Sequence, residues 1–189
     1  MASDRRALIA DATIVTIARE GMRGLTHRAV DRAAGLAEGS TSYYFRTREA
    51  LLFAALARMA ELDTADVGEL PNLGGRAEPD ELTTLLAELV RTWLTSARER
   101  TLARYELTLE SIRRPRLRAE MDEYGSRFRV MAETMLAAAG SSEPRRRGLA
   151  LVACVDGLVY HQLAEVGAGR FDDADLRAAC RDLLDTALR

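Results

Sequence analysis

Apolar residues recur every three or four positions along most of the chain, and strict alternation with polar residues persists nowhere. That is the period of helices burying one face, not of strands. Over about 4–20, Leu8, Ala12, Val15 and Ala18 share one stripe, which ends at Gly21, a helix stop. Thr26 stands where an N-cap belongs, ahead of a short helix over 27–34 that Gly35 closes. A second short helix is expected over 37–44. Thr47 then caps a longer helix with Glu49 in its first turn. The pattern lapses over 67–79, where Gly68, Pro71, Gly74, Gly75 and Pro79 fall. Helices are expected again over 80–99, 101–112, 115–139, 144–166 and 173–188. Pro115 and Pro144 sit at first-turn positions, where a missing amide hydrogen costs nothing. The reading is all-α: a small three-helix head over 1–48, a connecting helix over 49–66, a loop over 67–79 and a larger helical body over 80–189.

Composition sharpens this picture. The chain has 189 residues, 48% of them apolar, with only 4 prolines, as in a well-folded domain rather than a disordered one. All 27 cations are arginine, and 29 acids leave a net charge of −2. That balance excludes coating of nucleic acid or anionic membrane by bulk charge. It conceals an asymmetry, because residues 1–50 hold eight arginines against six acids and the remainder nineteen against twenty-three. A positive head and an acidic body hint at a DNA-facing end. The absent lysine reads as codon bias in a GC-rich genome, since the two cations are interchangeable at most solvated sites. Cys154 and Cys180 form no CxxC and the histidines number two, so no metal site or cofactor is expected and both thiols are read as buried. The start of the chain lacks the apolar stretch of a secretory signal, and the longest apolar run, 149–155, stops at Asp156. A cytoplasmic location away from membranes is expected.

The informative chemistry lies in 25–53. Two short helices joined by a glycine turn have the spacing of a helix-turn-helix, whose second helix enters the major groove. Val30, Ala33, Ala34 and Leu36 would pack inside the pair. Gly39, Ser40, Thr41 and Ser42 make the second helix small and hydroxyl-rich, which allows close backbone approach and bonds to phosphates or base edges. Tyr43 and Tyr44 add phenols beside Arg46 and Arg48. Thr26-x-Arg28, Ala33-Ala34-Gly35, Gly39, Tyr43-Tyr44-Phe45 and Arg46-Thr47-Arg48-Glu49-x-Leu51-Leu52 together resemble the TetR family of bacterial repressors, over about residues 5–55 and more weakly along the helical body. Two departures stand out. Family members often carry tyrosine at the position of Ser42 and usually lysine at that of Arg48. The resemblance implies that Thr26, His27, Tyr43, Tyr44 and Arg48 touch the DNA backbone, that Arg28, Ser40, Thr41 and Ser42 reach base edges, and that Phe45 lies beneath the recognition helix. Glu38 reads as a solvated acid. Arg5 and Arg6 read equally as an arm near the phosphates or as a frayed terminus.

The last two helices carry broad apolar faces. Leu151, Val152, Val155, Leu158, Val159, Gln162 and Leu163 lie on one, and Leu176, Cys180, Leu183, Leu184 and Ala187 on the other. One small core could absorb such a face, or the helices could pair with their twins in a four-helix bundle. The resemblance implies the second: a homodimer on a palindromic operator in double-stranded DNA, with Leu151, Val155, Leu158, Val159, Gln162, Leu176, Cys180, Leu183 and Leu184 at the interface. Between head and bundle, Trp93, Tyr105, Glu106, Leu109, Glu110, Met121, Tyr124, Phe128 and Met131, with Tyr160 and His161 from the next helix, mix apolar and polar groups as a pocket for a small-molecule effector does. For each of them a place in the plain core is the competing reading. Asp156 reads as an intersubunit or pocket partner, or as solvated near Gly157. Arg113, Arg114, Arg116 and Arg118 read as a solvated loop or as a contact between body and head. The expected function is a ligand-responsive repressor. A regulatory DNA-binding dimer without a ligand is the alternative, and enzyme motifs are missing from the sequence.

Overall fold

The computed structural model describes residues 2–67, 78–165 and 170–189. The described residues form nine helices and no strand: α1 (Ala2–Gly24), α2 (His27–Ala33), α3 (Ser40–Tyr44), α4 (Arg48–Val67), α5 (Pro79–Leu94), α6 (Arg98–Ser111), α7 (Pro115–Ala138), α8 (Pro144–Ala164) and α9 (Asp173–Leu188). The predicted N-caps hold. Thr26 Oγ1 accepts from the Ala29 amide at 3.1 Å and Thr47 Oγ1 from the Ala50 amide at 3.1 Å. Gly21 breaks the helical geometry of α1 with φ 67°, a left-handed angle that a side chain would strain, but the helix resumes to Gly24. α3 begins at Ser40 rather than 37 because Gly39 also lies at positive φ, 92°. Most of the break expected over 67–79 lies outside the described residues, and the helix expected to reach 166 ends at Ala164, where Glu165 turns extended. No described helix is long and apolar enough to cross a membrane.

The chain divides into two compact units whose borders differ from the expected ones. The first comprises residues 1–66 and 97–124, the second 67–96 and 125–189. In the first, α1 packs along α6 and α2, with Ile9, Ile17, Val30, Leu51, Leu52, Met59, Leu107 and Leu117 fully or almost fully buried. α6, read from sequence as part of the body, therefore shares a core with the head. The physical reason is the wide buried arc of α1, since Ala12 and Thr16 on one flank and Ala10 and Ile14 on the other are all buried. A polar cluster ties three helices of this unit. Arg100 of α6 lies 2.7 Å from Asp63 of α4 and also pairs with Asp66, while the Tyr124 hydroxyl of α7 donates to Asp63. Burial, and next the charge of Asp63, push the Tyr124 phenol well above its ordinary pKa, so it remains a donor.

The second unit packs α9 against α5 and α8 around Leu82, Val90, Leu136, Val159, Cys180 and Leu184. Trp93 of α5 meets Phe128 of α7 edge-on, with centroids 5.7 Å apart. Gly148 permits close approach of α8 to α7, since a Cβ there would stand 3.0 Å from the Glu133 amide nitrogen.

Candidate nucleic-acid interface

The head is built around one buried carboxylate that the sequence pattern did not single out. Asp31 on α2 is 2% exposed, and it accepts from the Gly39 amide at 2.8 Å and from the Thr41 amide at 2.7 Å. A five-residue helix cannot sustain itself, and Gly39 offers no side chain to cap α3. Asp31 supplies that cap from the neighbouring helix and so fixes α3 against α2. Burial raises its pKa, but the bonds from Thr41 and Gly39 outweigh burial and hold the carboxyl below its ordinary value. The available signal was an acid inside α2, eight positions before a glycine that opens an uncapped helix.

This anchoring sorts the predicted contacts. Tyr43 is 80% exposed, and Thr26, Arg28 and Ser42 are exposed as well. Ser40 and Tyr44 are half-buried, and the Tyr44 ring meets Tyr43 edge-on at 5.1 Å. Thr41 is a correction: expected at base edges, it is fully buried, because its amide must face Asp31 and its side chain turns into the head. His27 Nε2 lies 2.7 Å from the Phe45 carbonyl oxygen, so the imidazole ties the start of α2 to the end of α3. Arg48, expected on phosphate, donates through Nη2 to the Met22 carbonyl at the broken end of α1 and is half-buried. Arg28 pairs with Glu38 at 2.9 Å, but both are largely exposed and such a pair is weak enough to exchange for phosphate. Ala33, expected inside the pair, is exposed. Phe45 is buried as expected.

The effector and dimer residues fall differently from expectation. Tyr105, Glu106, Leu109, Glu110, Met121 and Tyr124 belong to the first unit, and Trp93, Phe128, Met131, Tyr160 and His161 to the second. Within the first, Glu106, Leu109 and Glu110 line an open cleft of about 450 Å³ with Glu20, Gly21, Met22, Arg23 and Arg113. The Glu110 carboxyl lies below its ordinary pKa, chiefly through its bond from Arg113 and despite partial burial. Tyr105 is half-buried with the Arg104 guanidinium over its ring, and the Tyr124 hydroxyl is committed to Asp63 in the core. Tyr160 and His161 are exposed on the outer side of α8 rather than facing inward. The arginines around Pro115 pair locally, except that Arg116 reaches Glu49 of α4 at 2.7 Å.

The expected interface residues are the larger correction. Leu151, Val155, Val159 and Gln162 of α8 and Leu176, Cys180 and Leu184 of α9 are buried inside this one chain, while Leu158 and Leu183 are half-buried. Burial lifts the Cys180 thiol to about 11. The exposed face of α8 is the opposite one: Leu149, Ala150, Ala153, Cys154, Gly157, Tyr160, His161 and Ala164. Cys154 is therefore exposed, contrary to expectation. None of these exposed residues is Asp, Glu or Arg, and the half-buried Asp156 lies at the margin of the face beside Leu149 and Tyr160.

Two family models match the chain. The N-terminal model of bacterial regulatory proteins of the TetR family covers residues 9–55, and a tetracyclin repressor-like C-terminal domain covers 77–189. The chain belongs to the TetR family. A TetR-family member from Streptomyces coelicolor A3 is 31% identical, with 95% of this chain and 97% of that one covered and a TM-score of 0.70. The multidrug binding protein EbrR, solved with ethidium, is 32% identical over 95% of this chain and 98% of its own, with a TM-score of 0.69. A transcriptional regulator from Rhodococcus sp. Rha1 shares the fold at 20% identity, with 97% and 95% covered and a TM-score of 0.80. No curated protein matches.

As a TetR-family protein the chain is a DNA-binding transcriptional regulator with a helix-turn-helix head. In TetR terms the pattern named the exposed surface of α2 and α3 and missed what holds it: Asp31, and the Met22 peptide. The Met22 carbonyl accepts from Arg48 of α4, and its amide donates to Glu106 of α6 at 3.4 Å.

Proposed function

We propose that this chain acts as a homodimeric repressor that a small molecule releases from a palindromic operator. The observation that carries the proposal is the outer face of α8. Eight exposed residues free of formal charge, with Gly157 near the middle, form a stripe along one helix, and such a stripe buries itself against a like surface. A twofold pairing of this face gives two recognition helices, and half-sites one DNA turn apart, about 34–36 Å, suit them. The contact set at the DNA is Thr26, Arg28, Ser40, Ser42, Tyr43 and Tyr44. The location that goes with this work is the cytoplasm.

The effector class follows from similarity. EbrR is solved with ethidium, proflavin and malachite green, all aromatic cations, at 31–32% identity to this chain. Release then works by population shift, the effector binding one form of the dimer better than the form that fits two successive grooves. Footprinting on the DNA upstream of its own gene tests the reading: a protected inverted repeat that malachite green shortens or removes is expected. Malachite green binding is measured first on the protein alone, since ethidium and proflavin intercalate DNA. A regulator without an effector is the second reading. The commitment of the Tyr124 hydroxyl to Asp63 favours it, because a pocket donor is then consumed in the core. Protection that no dye or metabolite alters would select it.

A further inference from the structure

We infer that Arg6, in the first turns of α1, is a DNA-phosphate contact pre-positioned by the end of the recognition helix. The guanidinium carbon lies 5.0 Å from the centroid of the Phe45 ring and 5.9 Å from that of Tyr44. Tyr44 in turn meets the ring of Tyr43, which is 80% exposed. Arg6 itself is exposed, and no described carboxylate pairs with it. The cation therefore sits on the same surface as the tyrosines at the end of α3.

The kind of restraint is what matters. An aromatic ring attracts a guanidinium without neutralising it, and unlike a carboxylate it brings no charged oxygen to occupy the N–H donors. A salt bridge would do the opposite. Arg28, for example, must first leave Glu38. Arg6 thus presents a fixed fork of donors carrying full charge, and a phosphate oxygen is the anion whose geometry such a fork matches. Arg5, its neighbour, has no described aromatic platform. The role assigned to Arg6 is positioning and affinity, not sequence reading, because a backbone contact carries no base information. Tyr44 becomes the platform of this contact as much as a contact itself.

The inference rests on the chain binding DNA through its head, and the test separates the two. The full-length protein first selects a duplex from a random-sequence pool, and that duplex is the probe for every variant. Affinity is then measured from 50 to 200 mM salt for the wild type, Arg6→Ala, Arg6→Lys and Arg5→Ala, with helix content and thermal midpoint recorded for each. Losing one phosphate contact per protomer of a dimer should lower the salt-dependence slope by about 1.8, so the deficit of Arg6→Ala should shrink about tenfold across that fourfold rise in salt. Its base preferences should not change. Arg6→Lys should retain the slope, and Arg5→Ala should reduce it less than Arg6→Ala. An unchanged slope in Arg6→Ala overturns the inference, as does an equal loss in Arg5→Ala, which would mean general charge rather than a placed contact. A wild type that selects no duplex overturns the DNA-binding head instead.

Discussion

Asp31 illustrates how a single side chain can determine the shape of a binding surface from beneath it. Its two carboxylate oxygens take the amides of Gly39 and Thr41, the N-terminal amides of a helix too short to hold itself. Asp31→Ala would leave the buried Thr41 amide and the part-buried Gly39 amide without their acceptor, at a cost of about 2 kcal/mol. The measurement is urea unfolding, and the DNA affinity should fall with it, since α3 loses its cap. A pH dependence follows from the lowered native pKa. A carboxyl whose folded pKa lies below its unfolded value of about 3.9 stabilises fully above the unfolded value, and the contribution is lost as the pH falls through that range toward the native one. The wild type should therefore lose stability relative to Asp31→Ala on acidification below about pH 5. A difference between them that stays constant down to pH 3 would show that the carboxylate form is not what stabilises the head. Thr41 follows from the same geometry: in sequence it is one of a run of hydroxyls, and only the direction of its amide toward Asp31 sends its side chain inward.

At the scale of elements, the helices were legible because their signals are local. Thr26 and Thr47 cap where they should, and Pro115 and Pro144 open their helices. Which helices share a core is not local information. α6 packs along α1 and is joined to α4 and α7 through Arg100, Asp63, Asp66 and Tyr124, residues scattered over 62 positions of sequence. Tyr124 looked like a pocket residue because tyrosine within an apolar stripe suits either role. Tyr124→Phe distinguishes them: loss of its donor should destabilise the protein by about 1–2 kcal/mol in thermal or denaturant unfolding, because a buried carboxylate oxygen loses its partner. A variant as stable as the wild type but altered in dye binding would return Tyr124 to the pocket.

On the scale of the whole molecule, the proposed dimer depends on the outer face of α8. Gly157 faces open space, so a long side chain there should fit the monomer without strain. Gly157→Arg should place charge in the middle of the apolar stripe. Light scattering should then report a monomer of unchanged helix content, and binding to the selected duplex should weaken by orders of magnitude because one head holds a half-site alone. A variant that remains dimeric would move the interface elsewhere.

The sequence by itself determined the helical period, the caps, the glycine turn and the run of residues that marks a TetR head, because each is written in neighbours a few positions apart. It also marked one apolar surface on α8, that of Leu151, Val155 and Val159. It did not determine which side faces inward, since the opposite Leu149, Ala153 and Cys154, not singled out in sequence, satisfy the same periodicity. Tertiary packing decided that by burying the first set against α9 and α5 and leaving the second exposed. It likewise decided that Arg48 holds the Met22 carbonyl and that Arg6 lies over Tyr44 and Phe45, contacts that join residues 26 and about 40 positions apart. The physical reason is the same throughout: periodicity reports that a face is apolar, while only the competition among several such faces for one core settles which of them remains for a partner.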